Sequence, residues 1–459
     1  MVTTSGRPAA STSVPLAPGA LPVVGHTFSL LRDSHAFLTS LPSHGDVVRV
    51  RFGRSDTVVV CTPELTQRVL REDKVFDKGG TLFDRIRDWL GDGLGTCPHS
   101  RHRRQRRLIQ PAFHHTRMPA YGAMMTRQID AVTGGWHDGD VLDLQSEMGT
   151  LSARIVVEAM FRDALPEHLL KQAVDDVGVV VRGLYLRASM PAFLTKLPLP
   201  GNRRQIAARA RLHRIVTDII TERRASGTDQ GDLLSALLAA RDTGEQGDTT
   251  GLSDAEISDQ VMTFFASGLE TTALALVWAL RLLAFHPEVE QRVLAEADAV
   301  LGGGPAQFDA MRDLALTGRV VTEVLRLFPP AGEMFTRTVT GDTTLGGYPV
   351  AAGTTVMYSS CLIHHRGDLY DDPTRFDPDR WDGESRTLPP REAFIPFGGG
   401  ARKCIGEQFA VAEVVLGLAT IVSRWQVRPV TARQTPPRTV AEWRRLGKRM
   451  RVTSRQNKE

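Results

Sequence analysis

Apolar and polar positions divide the chain into a short strand region, a long helical region and a second strand region. Near the start, residues 47–53 (VVRVRFG) and 57–61 (TVVVC) alternate or are rich in β-branched side chains, with RSD between them. This pattern predicts a β-hairpin. A helix is predicted in residues 62–70 (TPELTQRVL), because Thr62 is a good N-cap and Glu64 follows in the first turn.

The helical region extends from about residue 118 to residue 301, with apolar side chains recurring at i, i+3 and i+4. Its longest apolar stretch, residues 253–285, predicts a helix of about 50 Å. This stretch is apolar on almost every face, so we expect it in the middle of the molecule. Glu270 and Arg281 within it argue against a membrane span.

The second strand region follows a helix that ends at residues 328–330 (FPP). Residues 343–359 (TTLGGYPVAAGTTVMYS) predict a strand, a Gly-Gly turn and further strand. The predicted fold class is therefore mainly α with small β-sheets. Residues 1–15 are small, polar and Pro-rich and are predicted to be disordered. No repeat or linker divides residues 16–459, which are predicted to form a single domain.

Composition excludes several classes of protein. The 459 residues are 42% hydrophobic and 24% charged, with a formal net charge of +4, which is too small an excess to indicate nucleic-acid binding. The N-terminus lacks the basic start and apolar core of a signal peptide, and no uninterrupted apolar run approaches roughly 20 residues. Four widely spaced cysteines without a CxxC pair indicate a reducing compartment. We therefore expect a soluble, cytoplasmic protein without a membrane anchor.

One of these cysteines, Cys404, ends the glycine-rich cationic turn PFGGGARKCIG and precedes a predicted amphipathic helix. Glycines permit positive φ and close backbone approach to a ligand. The helix dipole, Arg402 and Lys403 are expected to lower the pKa of the thiol, and a thiolate is a strongly donating iron ligand. The alternative is a buried, unreactive cysteine, which is what most single cysteines are.

Six residues of this turn fit the pattern FGxGxRxCxG: Phe397, Gly398, Gly400, Arg402, Cys404 and Gly406. Here the chain resembles the cytochrome P450 haem-thiolate monooxygenases. Three further motifs occur in the family's order, SGLETT at 267–272, EVLR at 323–326 and FDPDRW at 376–381. The openings PGALPVVGH and HGDVVRVRFG also resemble the family, so the similarity covers essentially the whole chain.

The resemblance implies the cytochrome P450 fold, with the long helix over haem b and Cys404 as the axial thiolate ligand. Phe397, Gly398 and Gly406 would belong to the cofactor-binding loop. Haem propionates need cations, and the resemblance assigns them His102 and Arg106 of the basic helix SRHRRQRRLIQPAF, together with Arg337 and Arg402. Many relatives have Trp at the position of His102. The other arginines of this helix, such as Arg103, Arg104 and Arg107, are expected on a solvated face, where they could dock an acidic ferredoxin.

The family's distal helix implies a role for each residue of the SGLETT motif. Gly268 would give oxygen room to bind, and Thr271 and Glu270 would relay protons to the oxygen site through water. Ser267 replaces the usual Ala and adds a hydroxyl. The alternative for Thr271 is a hydrogen bond to the carbonyl four residues earlier, which bends helices.

A structural role is implied for Glu323 and Arg326, which share a helix face at i, i+3. Such pairs are usually solvated surface contacts of little value. The resemblance instead predicts that Arg380 joins them in a buried network that braces the loop before the cysteine.

The predicted substrate pocket is apolar and suits a lipophilic molecule of modest size. Residues 79–95 and 183–200 are candidate walls, and Glu333 could contact a polar group. The individual residues predicted to line it are Phe264, Phe265, Ser267, Ala331, Met334 and Phe335.

The resulting expectation is a monooxygenase that inserts one oxygen atom from O₂ into an unactivated C–H bond. Electrons would come from NAD(P)H through a ferredoxin and its flavin reductase, and the enzyme would be a monomer. The Arg- and Ala-rich composition resembles actinobacterial terpene-oxidising members of the family, which suggests a sesquiterpene substrate and natural-product (antibiotic) biosynthesis. The alternatives are a fatty acid or polyketide hydroxylase, a peroxide-using enzyme, a non-catalytic haem-thiolate ligand-binding protein and an all-α binding protein without haem.

Two features are expected to carry no chemistry. His364 and His365 are adjacent, so they should point apart, and no third metal ligand is spaced nearby in sequence. Cys61, Cys97 and Cys361 are expected to be inert. The final segment PPRTVAEWRRLGKRMRV departs from the family's usual ending.

Overall fold

The computed structural model describes residues 13–53, 55–162, 166–189, 197–243, 249–331, 334–430 and 449–455. Glu333, part of the 183–200 region and most of the unusual C-terminal segment lie outside these ranges. The predicted boundary at residue 15 stays a prediction, because residues 1–12 are also outside. At the first described residues, Val14 is buried and the Pro15 carbonyl accepts a 2.7 Å hydrogen bond from the Arg49 N–H.

Helices make up most of the described chain. In chain order they are α1 (Thr27–Arg32), α2 (Ser34–Ser40), α3 (Pro63–Arg71), α4 (Gly80–Leu90), α5 (His99–Ile109), α6 (Met118–Thr133), α7 (Leu144–Phe161), α8 (Glu167–Ser189), α9 (Pro200–Ser226), α10 (Leu233–Ala239), α11 (Asp254–Phe285), α12 (Pro287–Leu301), α13 (Ala315–Leu327), α14 (Ser360–His364) and α15 (Glu407–Arg424).

The strands are short. They are β1 (Val47–Phe52), β2 (Ser55–Val60), β3 (Phe76–Asp77), β4 (Val141–Asp143), β5 (Arg241–Thr243), β6 (Thr249–Gly251), β7 (Phe335–Val339), β8 (Thr343–Leu345), β9 (Tyr348–Val350), β10 (Thr355–Tyr358), β11 (Trp425–Pro429) and β12 (Arg449–Ser454). The predicted fold class, mainly α with small sheets, is confirmed.

The chain separates into two compact units. The first, here called the sheet unit, consists of Met1–Gly80, Gly332–Pro373 and Pro389–Arg402. The second, called the helical unit, consists of Thr81–Ala331, Thr374–Leu388 and Lys403–Glu459. This division does not test the prediction of one domain over 16–459, because two compact units can belong to one large domain.

The sheet unit is built on five strands in the order β1-β2-β10-β7-β3. The predicted hairpin is confirmed, because β1 and β2 pair antiparallel with Phe52 opposite Ser55. The predicted Gly-Gly turn is also confirmed: Gly346 and Gly347 have φ of 57° and 85° between β8 and β9. Thr62 caps α3 by accepting the Leu65 N–H, as its sequence predicted.

The helical unit is organised by α11, which begins where the sequence predicted. Ser253 and Glu256 form a reciprocal capping box that satisfies two N–H groups at its start. Within the described ranges α11 is long and apolar enough to cross a membrane, but 61% of its most apolar window is buried inside the protein. Burial of this kind identifies it as a core helix. It packs most extensively against α7.

Candidate functional site

The glycine turn before Cys404 belongs to the sheet unit. Gly398 and Gly400 have φ of 67° and 65°, so the predicted positive φ is confirmed. A Cβ on Gly400 would collide with the carbonyl oxygen of Leu70 at the end of α3. Gly400 therefore lets the turn approach helix α3 closely, and this contact fixes the shape of the turn. Phe397 is half-buried beside it.

Arg402 ends this turn, and its side chain is buried between carboxylates. Its Nη2 donates a 2.7 Å hydrogen bond to Asp77, and its Nε lies 3.6 Å from an oxygen of Asp73. Arg402 thus has two acidic partners, and its predicted role as a propionate-binding cation stays a prediction. Arg402 anchors the glycine turn to the segment that leads into β3.

Cys404 lies in the helical unit, two residues before the N-cap Gly406 of α15. All four cysteines fall within the described ranges, and Cys404 alone is exposed. Burial raises the pKa values of the Cys61 and Cys361 thiols to about 12, which makes them poor nucleophiles, as expected. Exposure therefore singles out the same cysteine as the motif.

The electrostatics of Cys404 differ from the sequence expectation. One side of the residue is open, but protein atoms crowd the thiol and withdraw water from it, and this burial raises its pKa. The Gly406 N–H, Arg106 and Lys403 favour the thiolate but do not outweigh burial. The prediction of a lowered pKa is therefore wrong. A metal ion bound to the sulfur would favour the thiolate, because direct metal coordination deprotonates a thiol.

Helix α5 presents His102 and Arg106 one turn apart, as predicted. His102 is buried, and Arg106 is half-buried. Arg106 Nη1 donates a 2.6 Å hydrogen bond to the carbonyl of Lys403, the residue before Cys404, and its Nε donates to Gln110 at 2.7 Å. Burial lowers the pKa of Arg106, which indicates a guanidinium partly removed from water. It thus lies beside the cysteine loop.

The remaining arginines of α5 fall into two groups. Arg104 donates to Glu256 at 2.8 Å and to the Gly251 carbonyl at 2.7 Å, and Arg101 forms an ion pair with Asp92. The expectation that Arg104 lies on a solvated face is corrected, because it ties α5 to the start of α11. Arg103 and Arg107 are exposed, as expected.

Arg337 lies on β7 of the sheet unit and is buried. Its Nη2 donates to the Tyr358 hydroxyl at 3.4 Å, and the guanidinium lies 5.5 Å from the centroid of the same ring. Tyr358 therefore positions this cation by a hydrogen bond and a cation–π contact. Neither contact neutralises its charge.

One face of α11 carries a ladder of hydroxyls. Thr263, Ser267 and Thr271 each donate to the carbonyl four residues earlier, at 2.8, 2.6 and 2.6 Å. The alternative weighed for Thr271, a bond back to the helix, is therefore its arrangement here. Each hydroxyl oxygen keeps lone pairs that can accept from water. Ser267 is exposed, and Glu270 is partly buried.

Gly268 has a packing role. A Cβ at this position would lie 2.8 Å from Cγ2 of Val156 on α7. The missing side chain thus lets α7 and α11 approach each other closely, and its predicted role in making room for oxygen stays a prediction.

The predicted pocket residues separate into core and exposed groups. Phe265 is 2% exposed and packs edge-on against Phe161, and its assignment as a pocket wall stays a prediction. Phe264 is also buried, with its ring 5.4 Å from that of Phe113. The exposed positions are Ser267, Ala331 and Met334, whereas Phe335 stacks on Tyr358.

Glu323, Arg326 and Arg380 are brought together in the interior of the helical unit. Arg326 donates twice to Glu323 at 2.8 Å, and Arg380 lies 3.6 Å from the same carboxylate. The Asp377 N–H and the Trp381 indole N–H complete the set at 3.1 and 2.8 Å. The predicted three-member network is confirmed, with two additional donors, and it holds the FDPDRW segment onto α13.

Glu413 on α15 is a buried carboxyl that the sequence analysis missed. It accepts a 2.6 Å hydrogen bond from Ser152, whose hydroxyl accepts from Thr272 of α11 at 3.0 Å. Burial raises its pKa to about 7, and the hydroxyls of Ser152 and Thr272 only partly offset this. An acidic residue within the apolar run VAEVVLGLATIV was the available signal.

The histidine pair behaves differently from its prediction. His364 accepts the Ile395 N–H at 2.9 Å, whereas the His365 Nδ1 lies 2.9 Å from the Cys361 carbonyl. The two histidines have different partners and point apart, as predicted. The expectation that no third ligand is near is corrected, because Cys361 and His35 lie beside His365. The two residues come from one turn earlier and from a different helix.

A mainly helical fold with a glycine turn leading to an exposed cysteine is the arrangement expected of a haem-thiolate protein. The family model for cytochrome P450 matches residues 15–448, and the chain belongs to this family. It is 44% identical to pentalenene oxygenase of Streptomyces avermitilis over 96% of this chain and 97% of the relative. It is 45% identical to cyclooctat-9-en-7-ol 5-monooxygenase of Streptomyces melanosporofaciens, covering 90% of this chain and 89% of the relative.

A solved structure supports the same family. The crystal structure of the cytochrome P450DA haem domain superposes with a TM-score of 0.82 at 25% identity, covering 96% of this chain and 98% of the other. The chain is thus a cytochrome P450 monooxygenase that carries haem on a cysteine thiolate and uses O₂ and redox partners. An all-α protein without haem is excluded.

Proposed function

We propose that this monooxygenase hydroxylates an unactivated C–H bond of a terpene, with Cys404 as its haem ligand. Two relatives above 40% identity over most of their length are named for terpene oxidation, pentalenene oxygenase and cyclooctat-9-en-7-ol 5-monooxygenase. When bound, the haem supplies the activation of O₂. The observation that carries the assignment to Cys404 is its exposure, since Cys61, Cys97 and Cys361 are all buried.

Substituting the cysteines one at a time tests the ligand. We expect Cys404→Ala to abolish the thiolate-type Soret band that reduced protein shows with carbon monoxide. Cys97→Ala removes another cysteine far from the motif and should leave the band in place. A band that survives Cys404→Ala would overturn the assignment.

The chain's cations are proposed to hold the propionates. In the helical unit these are His102 and Arg106, and in the sheet unit Arg337, whose charge Tyr358 positions without neutralising. Arg106→Leu should raise the rate of haem loss to apomyoglobin, because a propionate would lose a charge-assisted donor. Arg312→Leu, an exposed arginine, serves as the control. Equal rates in wild type and Arg106→Leu would contradict the role.

Thr271 and Glu270 are proposed to deliver protons to the oxygen site. The Thr271 hydroxyl donates to Ser267, so its oxygen is free to accept from a water molecule that Glu270 supplies. We expect Thr271→Ala to divert turnover from product to hydrogen peroxide, and Thr271→Ser to restore coupling. Thr322→Ala, which removes a similar back-bonded hydroxyl on α13, is the control. Unchanged coupling in Thr271→Ala would overturn the relay.

The substrate class is tested by optical titration. Terpene hydrocarbons and terpene alcohols should give type I shifts, and reconstituted turnover should give a product heavier by one oxygen atom. In the helical unit, the exposed positions Ser267 and Ala331 offer one hydroxyl and a small apolar surface, which suit such molecules. Tight shifts and turnover with fatty acids or macrolides alone would instead support the second candidate, a fatty acid or polyketide hydroxylase.

Electrons are proposed to come from a ferredoxin and its reductase in the cytoplasm, with the enzyme acting as a monomer. Arg103 and Arg107 on the exposed face of α5 are suited to an acidic partner. Arg103→Glu with Arg107→Glu should slow ferredoxin-dependent reduction more strongly at low salt than at high salt. Arg312→Glu is the charge-matched control, and equal rates in both variants would contradict the docking surface.

A further inference from the structure

Three side chains in the sheet unit form a cluster that the haem chemistry does not use. Nitrogen atoms of His35 and His365 and the sulfur of Cys361 all lie within 4.8 Å of one another. His35 belongs to α2, whereas Cys361 belongs to α14 and His365 is its C-cap. The cluster therefore joins two helices that pack together.

The spacing and contacts of the three side chains are compatible with a shared metal ion. Cys361 and His365 are four residues apart, the spacing that places two side chains on one helix face. The rings of His35 and His365 meet edge to face with centroids 4.4 Å apart. His365 Nδ1 lies 2.9 Å from the Cys361 carbonyl, and ligating histidines commonly orient their second nitrogen by such a contact.

We propose that His35, Cys361 and His365 bind a zinc ion. One thiolate and two imidazoles are a donor set that Zn²⁺ favours, and three protein ligands leave a fourth position for water. Ordinary zinc bonds bring sulfur and nitrogen ligands to roughly 3.5 Å from one another, so donor atoms that now lie within 4.8 Å have to approach by at most about 1.3 Å.

Electrostatics favour a dication at this place. Burial and, to a smaller extent, the charge of Asp33, the N-cap of α2, raise the pKa of the Cys361 thiol. A divalent cation bound to the sulfur would be attracted both to the thiolate and to the Asp33 carboxylate. The ion would link α2 to α14 within the sheet unit.

The decisive measurement is made on tag-free holoenzyme, in which Cys404 is occupied by iron. One zinc ion per chain should bind in calorimetric titration with ZnCl₂. Zinc-edge X-ray absorption should show one sulfur at about 2.3 Å and nitrogen neighbours at about 2.0–2.1 Å. A zinc shell without sulfur, or no binding, would overturn the proposal, and neither readout depends on catalysis.

Variants distinguish this cluster from other histidines. His35→Gln and Cys361→Ala should each weaken zinc binding by at least about tenfold, as loss of a metal-site residue commonly does. The control is His115→Ala, because exposed His114 and His115 have ring centroids only 4.0 Å apart and are the natural competitor for zinc. Zinc binding lost in His115→Ala but retained in His35→Gln would refute the site. If Cys361→Ala fails to fold, the zinc-edge absorption spectrum of the wild type and the zinc affinity of His35→Gln still test the proposed site, because His35 is only half-buried.

Discussion

Two buried glutamates in the helical unit have the same exposure and opposite surroundings. Glu323 and Glu413 are each 0% exposed. Glu323 receives two hydrogen bonds from Arg326 and has Arg380 at 3.6 Å. Glu413 receives a hydroxyl hydrogen bond from Ser152, and no ion pair to it is present among the described residues.

The comparison shows that burial alone does not determine what an acidic side chain does. Removing a carboxylate from water is costly, and a guanidinium with well-aligned N–H groups offsets that cost. Glu323 is thus suited to hold a fixed charge in a rigid network. Glu413 has only hydroxyl partners, burial raises its pKa to about 7, and it changes charge near neutral pH.

The largest effect is expected from Glu323→Gln. This change leaves Arg326 and Arg380 buried without their counter-charge, and breaking such a pair costs about 3–5 kcal/mol. Denaturant unfolding followed by circular dichroism measures the loss of stability. Glu72→Gln, which breaks an exposed i, i+4 pair with Arg68, should cost less than about 0.5 kcal/mol. A similar small loss in both variants would show that the buried network contributes little.

Glu413→Gln should change the pH dependence of stability. The folded-state pKa of Glu413 is raised to about 7, so its contribution is fully present below the unfolded value near 4.5 and is lost as pH rises through 7. Wild type should therefore lose on the order of 2–3 kcal/mol relative to Glu413→Gln between pH 5 and 8.

Unfolding midpoints of both proteins across that pH range test this expectation, with Glu72→Gln as a reference for an exposed acid. Parallel curves for wild type and Glu413→Gln would mean that Glu413 does not titrate in the folded state near neutrality. Glu413 would then not differ from Glu323 in changing its charge near neutral pH.

Trp381→Phe tests how much a single hydrogen-bond donor stabilises the buried Glu323. It removes one N–H donor from Glu323 while both arginines remain. A hydrogen bond to a charged group is worth about 1.5–3 kcal/mol, so we expect a loss near the lower limit. Trp425→Phe, whose indole lies outside this network, is the matched control in an unfolding titration. Equal losses in the two variants would indicate lost packing instead of a lost donor.

The smallest effect is expected from Thr272→Val. It removes a hydroxyl that supports Ser152 and raises the pKa of Glu413 further, because that hydroxyl lowers it. The expected loss of stability is about 1 kcal/mol. Thr322→Val removes a hydroxyl bonded only to its own helix and should cost less. Unfolding at pH 6 compares them, and a larger loss in Thr322→Val would contradict the network.

Local sequence patterns predicted the elements well, because caps, turns and periodicity act over a few residues. The start of α11 follows from Ser253 and Glu256, and the β8–β9 turn follows from Gly346 and Gly347. The Glu323 network was also predictable, although only the family resemblance connected it to Arg380. Cys404 was found from its motif, whereas the direction of its pKa shift was not.

The contacts that the sequence did not predict share one physical origin, because burial and long-range partners do not follow from the order of neighbouring residues. Gly268 has a packing role because Val156 lies opposite it, and Arg402 is matched by Asp73 and Asp77. Arg104 bonds to Glu256, more than a hundred residues away in the chain.

The sequence by itself determined the family, the place of Cys404 after a glycine turn and the order of helices and strands, since these depend on spacing between neighbours. Only the tertiary structure decided which charges are compensated, which acid titrates near neutral pH and which histidine meets a cysteine. Those properties depend on how much water is excluded and on which distant side chains fill the space, and both are set when the elements pack.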